Sequence, residues 1–226
     1  MHPSHHAQTQ PDKPAYIMAS SGEAVTFGQL DQRSNQIAHA FRALGLHHGD
    51  TLAIFAENSP RYFEICWAAQ RAGLYFVCIS SRLTTPEVEY IIKDSGARLL
   101  IASAGLKAVA EDVTGVTELD GYWSIDGEID GYEALESVRA AHPETSIADE
   151  RAGSDMLYSS GTTGRPKGIR PPLPEDPAID STNALTMIAQ ALFKTVPEGI
   201  YLSPAPLYHA APLRWCMAMT KFGMTL

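Results

Sequence analysis

The chain has 226 residues, with 17 Lys and Arg against 26 Asp and Glu, a formal net charge of −9, and 45% hydrophobic residues. At roughly 150 residues per domain this is about one and a half domains, enough for a real core. The acidic balance excludes a nucleic-acid binder, which needs clustered Lys and Arg, and a polybasic membrane anchor; any anionic ligand has to be held by a local site.

The start, Met1-His-Pro-Ser-His-His-Ala-Gln, lacks the apolar run of a signal peptide. His2, His5 and His6 read as part of a frayed terminus rather than as metal ligands. Thr26 with Gln29 three positions on spells a capping box. An apolar face of Leu30, Ile37, Phe41 and Leu44 follows and stops at Gly45. Residues 51–56 read as a strand, and Ser59-Pro60 opens a helix running to Gly73. Residues 74–79 form a continuous apolar run, the mark of a strand covered on both faces. Thr85-Pro86-Glu87 opens another helix that closes near Ser95-Gly96, and residues 98–102 are a third strand. This alternation predicts an α/β fold, a parallel sheet with helices on both faces and right-handed crossovers.

Residues 104–150 are less regular, with helices expected at 106–111 and 132–141 and a turn region at 120–131. The acidic stretch 142–155 reads as a connection, dividing the chain into an N-terminal α/β subdomain, 1–150, and the start of a second, 151–226. There a short strand at 155–159 precedes an extended Pro-rich loop at 170–177. A helix at 182–195, a strand at 200–203, an apolar helix at 211–222 and a terminal strand at 224–226 complete the pattern. Cys66, Cys78 and Cys216 form no CxxC pair and lie in apolar stretches, as expected of buried free thiols in a reducing cytoplasm. No run approaches the ~20 apolar residues of a membrane span.

Residues 158–168 pack three glycines, four hydroxyls and a lysine into eleven positions. Glycine lets the backbone approach an anion closely, so successive N–H groups can converge on oxygens as a nest. The hydroxyls of Ser159, Ser160, Thr162 and Thr163 add donors, one of which can also ligate magnesium, and Lys167 supplies a point charge. This is not a Walker A loop, because Pro166-Lys167 stands where Gly-Lys-Ser/Thr is required. By composition alone, a flexible surface turn remains an equal alternative.

The residue order Ser159-Ser-Gly-Thr-Thr-Gly-Arg-Pro-Lys-Gly168 closely resembles the phosphate-loop signature of the adenylate-forming superfamily. That superfamily includes acyl-CoA synthetases, aryl-CoA ligases, firefly luciferase and the adenylation domains of peptide synthetases. Thr26-Phe-Gly-Gln-Leu30, Gly49-Asp50 through Glu57-Asn58-Ser59, and Leu202-Ser-Pro-Ala-Pro-Leu-Tyr-His209 resemble further segments of the same family. The resemblance implies the N-terminal part of an acyl-CoA synthetase-like fold. It also implies a two-step ligase, in which a carboxylate attacks the α-phosphate of MgATP and coenzyme A then takes the acyl group as a thioester. The carboxylate is already ionised at pH 7, so the chemistry needs stabilised phosphate charge rather than a strong base.

Carried over position by position, Ser159, Ser160, Gly161, Thr162, Thr163, Gly164 and Lys167 hold the ATP phosphates. Lys167, Thr162 and Thr163 carry the catalytic charge stabilisation, and Thr162 or Thr163 reaches the magnesium ion. Arg165 is expected to face solvent. His209 lines the substrate and adenylate site, Ala211 and Trp215 line the acyl pocket, and Tyr208 is structural. The expected substrate is a small-molecule carboxylate, a fatty acid first and an aryl acid as the alternative. A non-catalytic nucleotide-binding module is the rival from a different class. Oligomeric state and peripheral membrane contact are left open.

Two departures from the family pattern stand out. Arg170-Pro-Pro-Leu-Pro-Glu-Asp-Pro177 follows the loop and cannot start a helix, so a helix dipole directly behind the phosphates is not expected. The family's Y-G-x-T-E segment, ribose-binding Asp, hinge and C-terminal catalytic Lys have no counterpart here. The terminal strand is expected to lack a partner, and the chain reads as the N-terminal piece of a larger synthetase, inactive alone.

Overall fold

The computed structural model describes residues 1–159, 166–176, 178–180 and 184–226. In chain order the elements are α1 (Pro3–Thr9), β1 (Pro14–Ile17), β2 (Ala24–Thr26), α2 (Phe27–Ala43), β3 (Thr51–Phe55), α3 (Pro60–Arg71), β4 (Tyr75–Ile79) and α4 (Thr85–Ser95). There follow β5 (Ala97–Ser103), a 3-10 turn at Ala104–Leu106, α5 (Lys107–Thr114), β6 (Gly121–Ile125), β7 (Glu133–Ala134) and α6 (Leu135–Ala140). The last elements are β8 (Ser154–Ser159), β9 (Lys167–Ile169), α7 (Ala184–Phe193) and α8 (Ala210–Lys221).

The apolar runs become the centre of a seven-stranded sheet of order β7-β6-β5-β3-β4-β8-β9. From β7 to β8 every neighbouring pair is parallel, and only β9 runs antiparallel, against β8. Alternate side chains of the central strands serve two cores. Leu52, Ile54, Phe76, Leu99 and Ile101 pack with α2 and α3 residues such as Leu30, Phe41 and Trp67 on one face. Ala53, Phe55, Val77, Ile79 and Leu100 meet Val88, Ile91 and Ile92 of α4 and Val113 of α5 on the other. Each fully buried large apolar side chain contributes roughly 1.5–3 kcal/mol, which explains why the strands carry no polar face. The fold is α/β, with helices on both faces of the sheet.

Local signals set the helix starts. Gln29 N–H donates to Thr26 Oγ1 at 3.2 Å while Thr26 N–H donates to Gln29 Oε1 at 3.0 Å, the reciprocal box that opens α2. Ser59 caps α3 with Pro60 in its first turn, and α4 begins at Thr85 as expected, with Thr84 and Glu87 forming the capping box in front of it. Gly96 ends α4 at φ +66°, a left-handed position that favours glycine.

Several expectations are corrected. The terminus is not frayed: residues 3–9 form α1, and His2 and His6 are buried. Residues 14–26, for which no strand is apparent in the sequence, form the antiparallel ribbon of β1 and β2. The expected turn region at 120–131 contains β6, whose Trp123 and Ile125 are buried. Its flanking Gly121 and Asp126-Gly127 disguise it as a loop. The strands expected at 200–203 and 224–226 reduce to one parallel bridge, Ile200 to Thr225. Pro204 and Pro206 lack the N–H groups a longer ladder needs. Nor is the chain end unpaired, for Tyr201 N–H donates to Thr225 O at 2.8 Å and Leu226 N–H to Ala15 O at 2.9 Å.

The boundary expected near residue 150 falls between α6 and β8, and β8 adds directly to β4, so residues on either side of it share one sheet. The three cysteines are free and buried, and burial pushes the Cys66 and Cys216 thiols up. No helix among the described residues is long and apolar enough to cross a membrane.

Candidate functional site

β8 reaches past the end of β4 and turns back as β9, so that Ser159 pairs with Lys167 across an antiparallel hairpin. Residues 160–165 bridge these two anchors. Ser160, Gly161, Thr162, Thr163, Gly164 and Arg165 lie outside the described residues, and so therefore does the expected magnesium ligand. Both anchors are exposed, at the carboxyl edge of the parallel sheet, where open α/β sheets present their ligand sites. Lys167 thus rises from a strand rather than from a helix start.

The hairpin is held from below by α4. Tyr158 Oη donates to Asp94 Oδ2 at 2.6 Å, and Tyr90 Oη donates to the Pro166 carbonyl at 3.1 Å. Burial, with the Asp94 carboxylate beside it, pushes the Tyr158 phenol well up, so it remains a proton donor at physiological pH. Gly168 gives the turn its close packing: a Cβ there would come within 2.6 Å of Met156 Cε and 3.0 Å of the Tyr158 ring. Neither Tyr90 nor Asp94 is apparent as part of the site from sequence, because they lie on α4, far from the glycine-rich string in the chain; Tyr158 opens that string, but its bond to Asp94 is set by the fold.

The second half of the candidate site hangs from β3. Asn58, three residues beyond that strand, donates through Nδ2 to the Ala205 carbonyl at 3.1 Å and accepts the Leu207 N–H through Oδ1 at 2.8 Å. This two-point clamp fixes residues 205–207 and delivers His209 to the N-cap position of α8. β3 and β8 are separated only by β4, so clamp and hairpin rise from strands about 10 Å apart at the same edge. His209 is exposed, with its ring centroid 4.5 Å from that of Tyr208, which packs against the core.

Ala211 is exposed as well, whereas Trp215 is half-buried and turns to an apolar cavity of about 430 Å³. Phe193, Val196, Tyr201, Met219 and Met224 line that cavity with it. α8 then runs back along the sheet, tied by Arg214 Nε to Asp155 Oδ2 at 2.9 Å. Among the described residues no group of three or more His, Cys, Asp or Glu is placed to hold a metal ion. The Pro-rich segment is pinned at its start, where Tyr75 Oη donates to the Pro171 carbonyl at 2.6 Å and the Arg170 guanidinium stacks 4.2 Å over the Tyr75 ring.

The family model of the AMP-binding enzymes matches residues 4–226. The chain belongs to the AMP-binding enzyme family. It is 35% identical over 170 residues to a fatty acid–[acyl-carrier-protein] ligase of Streptomyces coeruleorubidus, covering 74% of this chain and 31% of that protein. It is 29% identical over 233 residues to a long-chain-fatty-acid–CoA ligase of Mycobacterium tuberculosis, covering 97% and 42%. Among solved structures, the N-terminal domain of FACL13 from Mycobacterium tuberculosis superposes with a TM-score of 0.78 at 23% identity, covering 99% of this chain and 56% of that one. The chain therefore spans about a third to two fifths of the length of these two curated relatives.

Proposed function

We propose that residues 1–226 are the ATP-phosphate and acyl-binding portion of an AMP-forming acyl-CoA ligase acting on fatty acids. The observation that carries this reading is the β8–β9 hairpin, which places Ser159 opposite Lys167 at the carboxyl edge of the parallel sheet of an AMP-binding family member. In the first step a carboxylate oxygen of the fatty acid attacks the α-phosphorus of ATP, forming acyl-adenylate and releasing pyrophosphate. In the second, the coenzyme A sulfur attacks the acyl carbon and AMP leaves.

Charge on the transferring and leaving phosphates is met by the loop N–H groups and hydroxyls of residues 159–164 and by the Lys167 ammonium. Preorganised donors of this kind are typically worth about 3–4 kcal/mol each in rate. A magnesium ion draws most of its ligands from phosphates and water, so a single hydroxyl from Thr162 or Thr163 suffices on the protein side. The largely apolar cavity beside Trp215 supports an acyl substrate tail, and His209 and Ala211 are the further residues proposed to line the substrate site.

The test joins residues 1–226 to the C-terminal remainder of the Mycobacterium tuberculosis ligase and measures fatty-acid-dependent ATP–pyrophosphate exchange. Exchange is expected, and Lys167→Ala should lower it at least about a hundredfold. Exchange indifferent to Lys167→Ala overturns the loop assignment. The 226-residue chain by itself is expected to yield no thioester from ATP, magnesium, coenzyme A and fatty acid, and product formation overturns that expectation. Tight ATP binding without turnover favours a non-catalytic nucleotide-binding module instead.

A further inference from the structure

α1 is pinned to the rest of the fold by two buried histidines, of which His2 makes a contact that only the neutral ring can make. His2 caps the helix: its Nδ1 accepts the Ser4 N–H at 3.2 Å, and its own backbone N–H donates to Asp180 Oδ1. The ring is 1% exposed and meets Trp67 of α3 edge-on, centroids 5.2 Å apart. Its Nε2 makes no hydrogen bond by geometry among the described residues, although the Gln70 amide lies beside it. The charges that disfavour a protonated ring are Arg71 from α3, Lys221 from α8 and the N-terminal amine; facing them are the Asp180 carboxylate on the His2 backbone N–H and Asp31 and Glu150, which pair with Arg71.

His6 closes the other end. Its Nε2–H donates to the Lys221 carbonyl at 3.0 Å, a bond open to the neutral and the protonated ring alike that partly offsets the effect of burial. The ring packs on Phe27 of α2, centroids 5.2 Å apart, and on Gly223, where a Cβ would come within 2.8 Å of it. Its charged neighbours are again cations or potential cations, the terminal amine, His5 and Lys13. Burial lowers the pKa of both rings, that of His2 well below its ordinary value, with Arg71 and Lys221 adding to the shift.

We propose that α1 is an acid-released strap, docked on α3 and α8 while His2 and His6 are neutral and leaving them when the rings take up protons. A free histidine titrates near 6.5. Below that value the detached strap binds more protons than the docked one, so docking is complete above about pH 6.5 and is lost progressively as pH falls toward the lowered values. Release uncovers Trp67 and frees the end of α8, the helix at whose N-cap His209 stands. Glu64 and Glu150 are pushed up by burial and act with the opposite sign, so whole-molecule melting mixes the two effects and a local readout is required.

NMR of the 226-residue chain between pH 8 and 5 supplies that readout. Amide signals of residues 3–9 should lose their dispersion between about pH 6.5 and 5 while those of β3, β4 and β5 persist. His5→Gln should leave this transition in place, and His6→Gln should reduce its proton dependence. His2→Gln should keep α1 docked through pH 5. If His2→Gln fails to dock at pH 8, wild type and His6→Gln still decide. A His2 ring that titrates near 6.5 with the α1 amides undisturbed overturns the proposal, and so does an α1 that stays docked at pH 5 in the wild type.

Discussion

Two phenylalanine–tryptophan pairs, each with ring centroids 5.7 Å apart, mark two different ways in which this chain holds itself together. Phe41 of α2 lies parallel to Trp123 of β6, and both rings are sealed inside the core between α2 and the sheet. Phe193 at the end of α7 meets Trp215 of α8 edge-on, yet Phe193 is 65% exposed. Around the first pair apolar burial fixes every element. Around the second the buried cluster is small, Ala189, Ala218, Met219 and Met224, while Met187, Ile188, Leu192, Ile200 and Leu202 face outward. α8 and the segment before it reach the main core through Leu207, Leu213 and Cys216, and polar ties add to that anchorage: the Asn58 clamp, the Arg214–Asp155 pair and the histidine contacts of α1. His209 and Ala211 are exposed and Trp215 is half-buried, so the residues proposed to bind substrate stand outside the main core, where small changes in polar contacts can move them.

The largest expected effect tests the sealed side. Phe41→Ala should cost about 3–5 kcal/mol, because the removed ring leaves a cavity against Trp123 that a parallel sheet packed on both faces cannot collapse into. Urea denaturation followed by far-ultraviolet circular dichroism measures it. A loss under about 1 kcal/mol would mean that the core yields like a surface and would erase the contrast between the two pairs.

How much of the molecule is legible in the sequence follows the same division. Residues 51–55, 75–79 and 97–103 announce themselves because strands covered on both faces must be apolar throughout, and the capping residues at Thr26 and Ser59 state where their helices begin. The glycine- and hydroxyl-rich string at 158–168 is likewise readable, since its chemistry resides in consecutive residues. What holds it is not readable: Tyr90, Asp94 and the return strand β9 come together only through the fold. β6 is hidden by its glycines, and α1 by a composition of histidine, proline and serine that resembles a loose end. The strand expected at 200–203 fails for the converse reason. Its local pattern is apolar, but the neighbouring prolines and the short partner at 225 leave it a single bridge.

Asn58→Ala tests the polar tie on which the substrate side depends. It removes one donor and one acceptor that together fix residues 205–207, and the expected loss is about 1–2 kcal/mol, smaller than that of Phe41→Ala because the clamp is partly solvated. The effect should be local. Hydrogen exchange at the Leu207 amide, which donates to Asn58 Oδ1 at 2.8 Å, should accelerate while amides of β3 and β4 keep their protection. Unchanged exchange at Leu207 would show that packing of Leu207 itself, not the asparagine, holds the segment.

Phe193→Ala is the smallest effect and the sharpest form of the comparison, since it repeats the Phe41 experiment on the other pair. Most of the Phe193 ring already faces solvent, so its truncation opens a groove rather than a cavity. The substitution chiefly removes the edge-to-face packing on Trp215, worth about 0.5–1.5 kcal/mol. Stability should therefore fall by about 1 kcal/mol or less, several-fold below the cost of Phe41→Ala. The consequence should instead appear at Trp215, which loses one wall of the 430 Å³ cavity and becomes wetter. Its fluorescence should move to longer wavelength while buried Trp67 and Trp123 hold theirs. A cost equal to that of Phe41→Ala would mean that the contact between α7 and α8 is sealed as tightly as the one between α2 and β6.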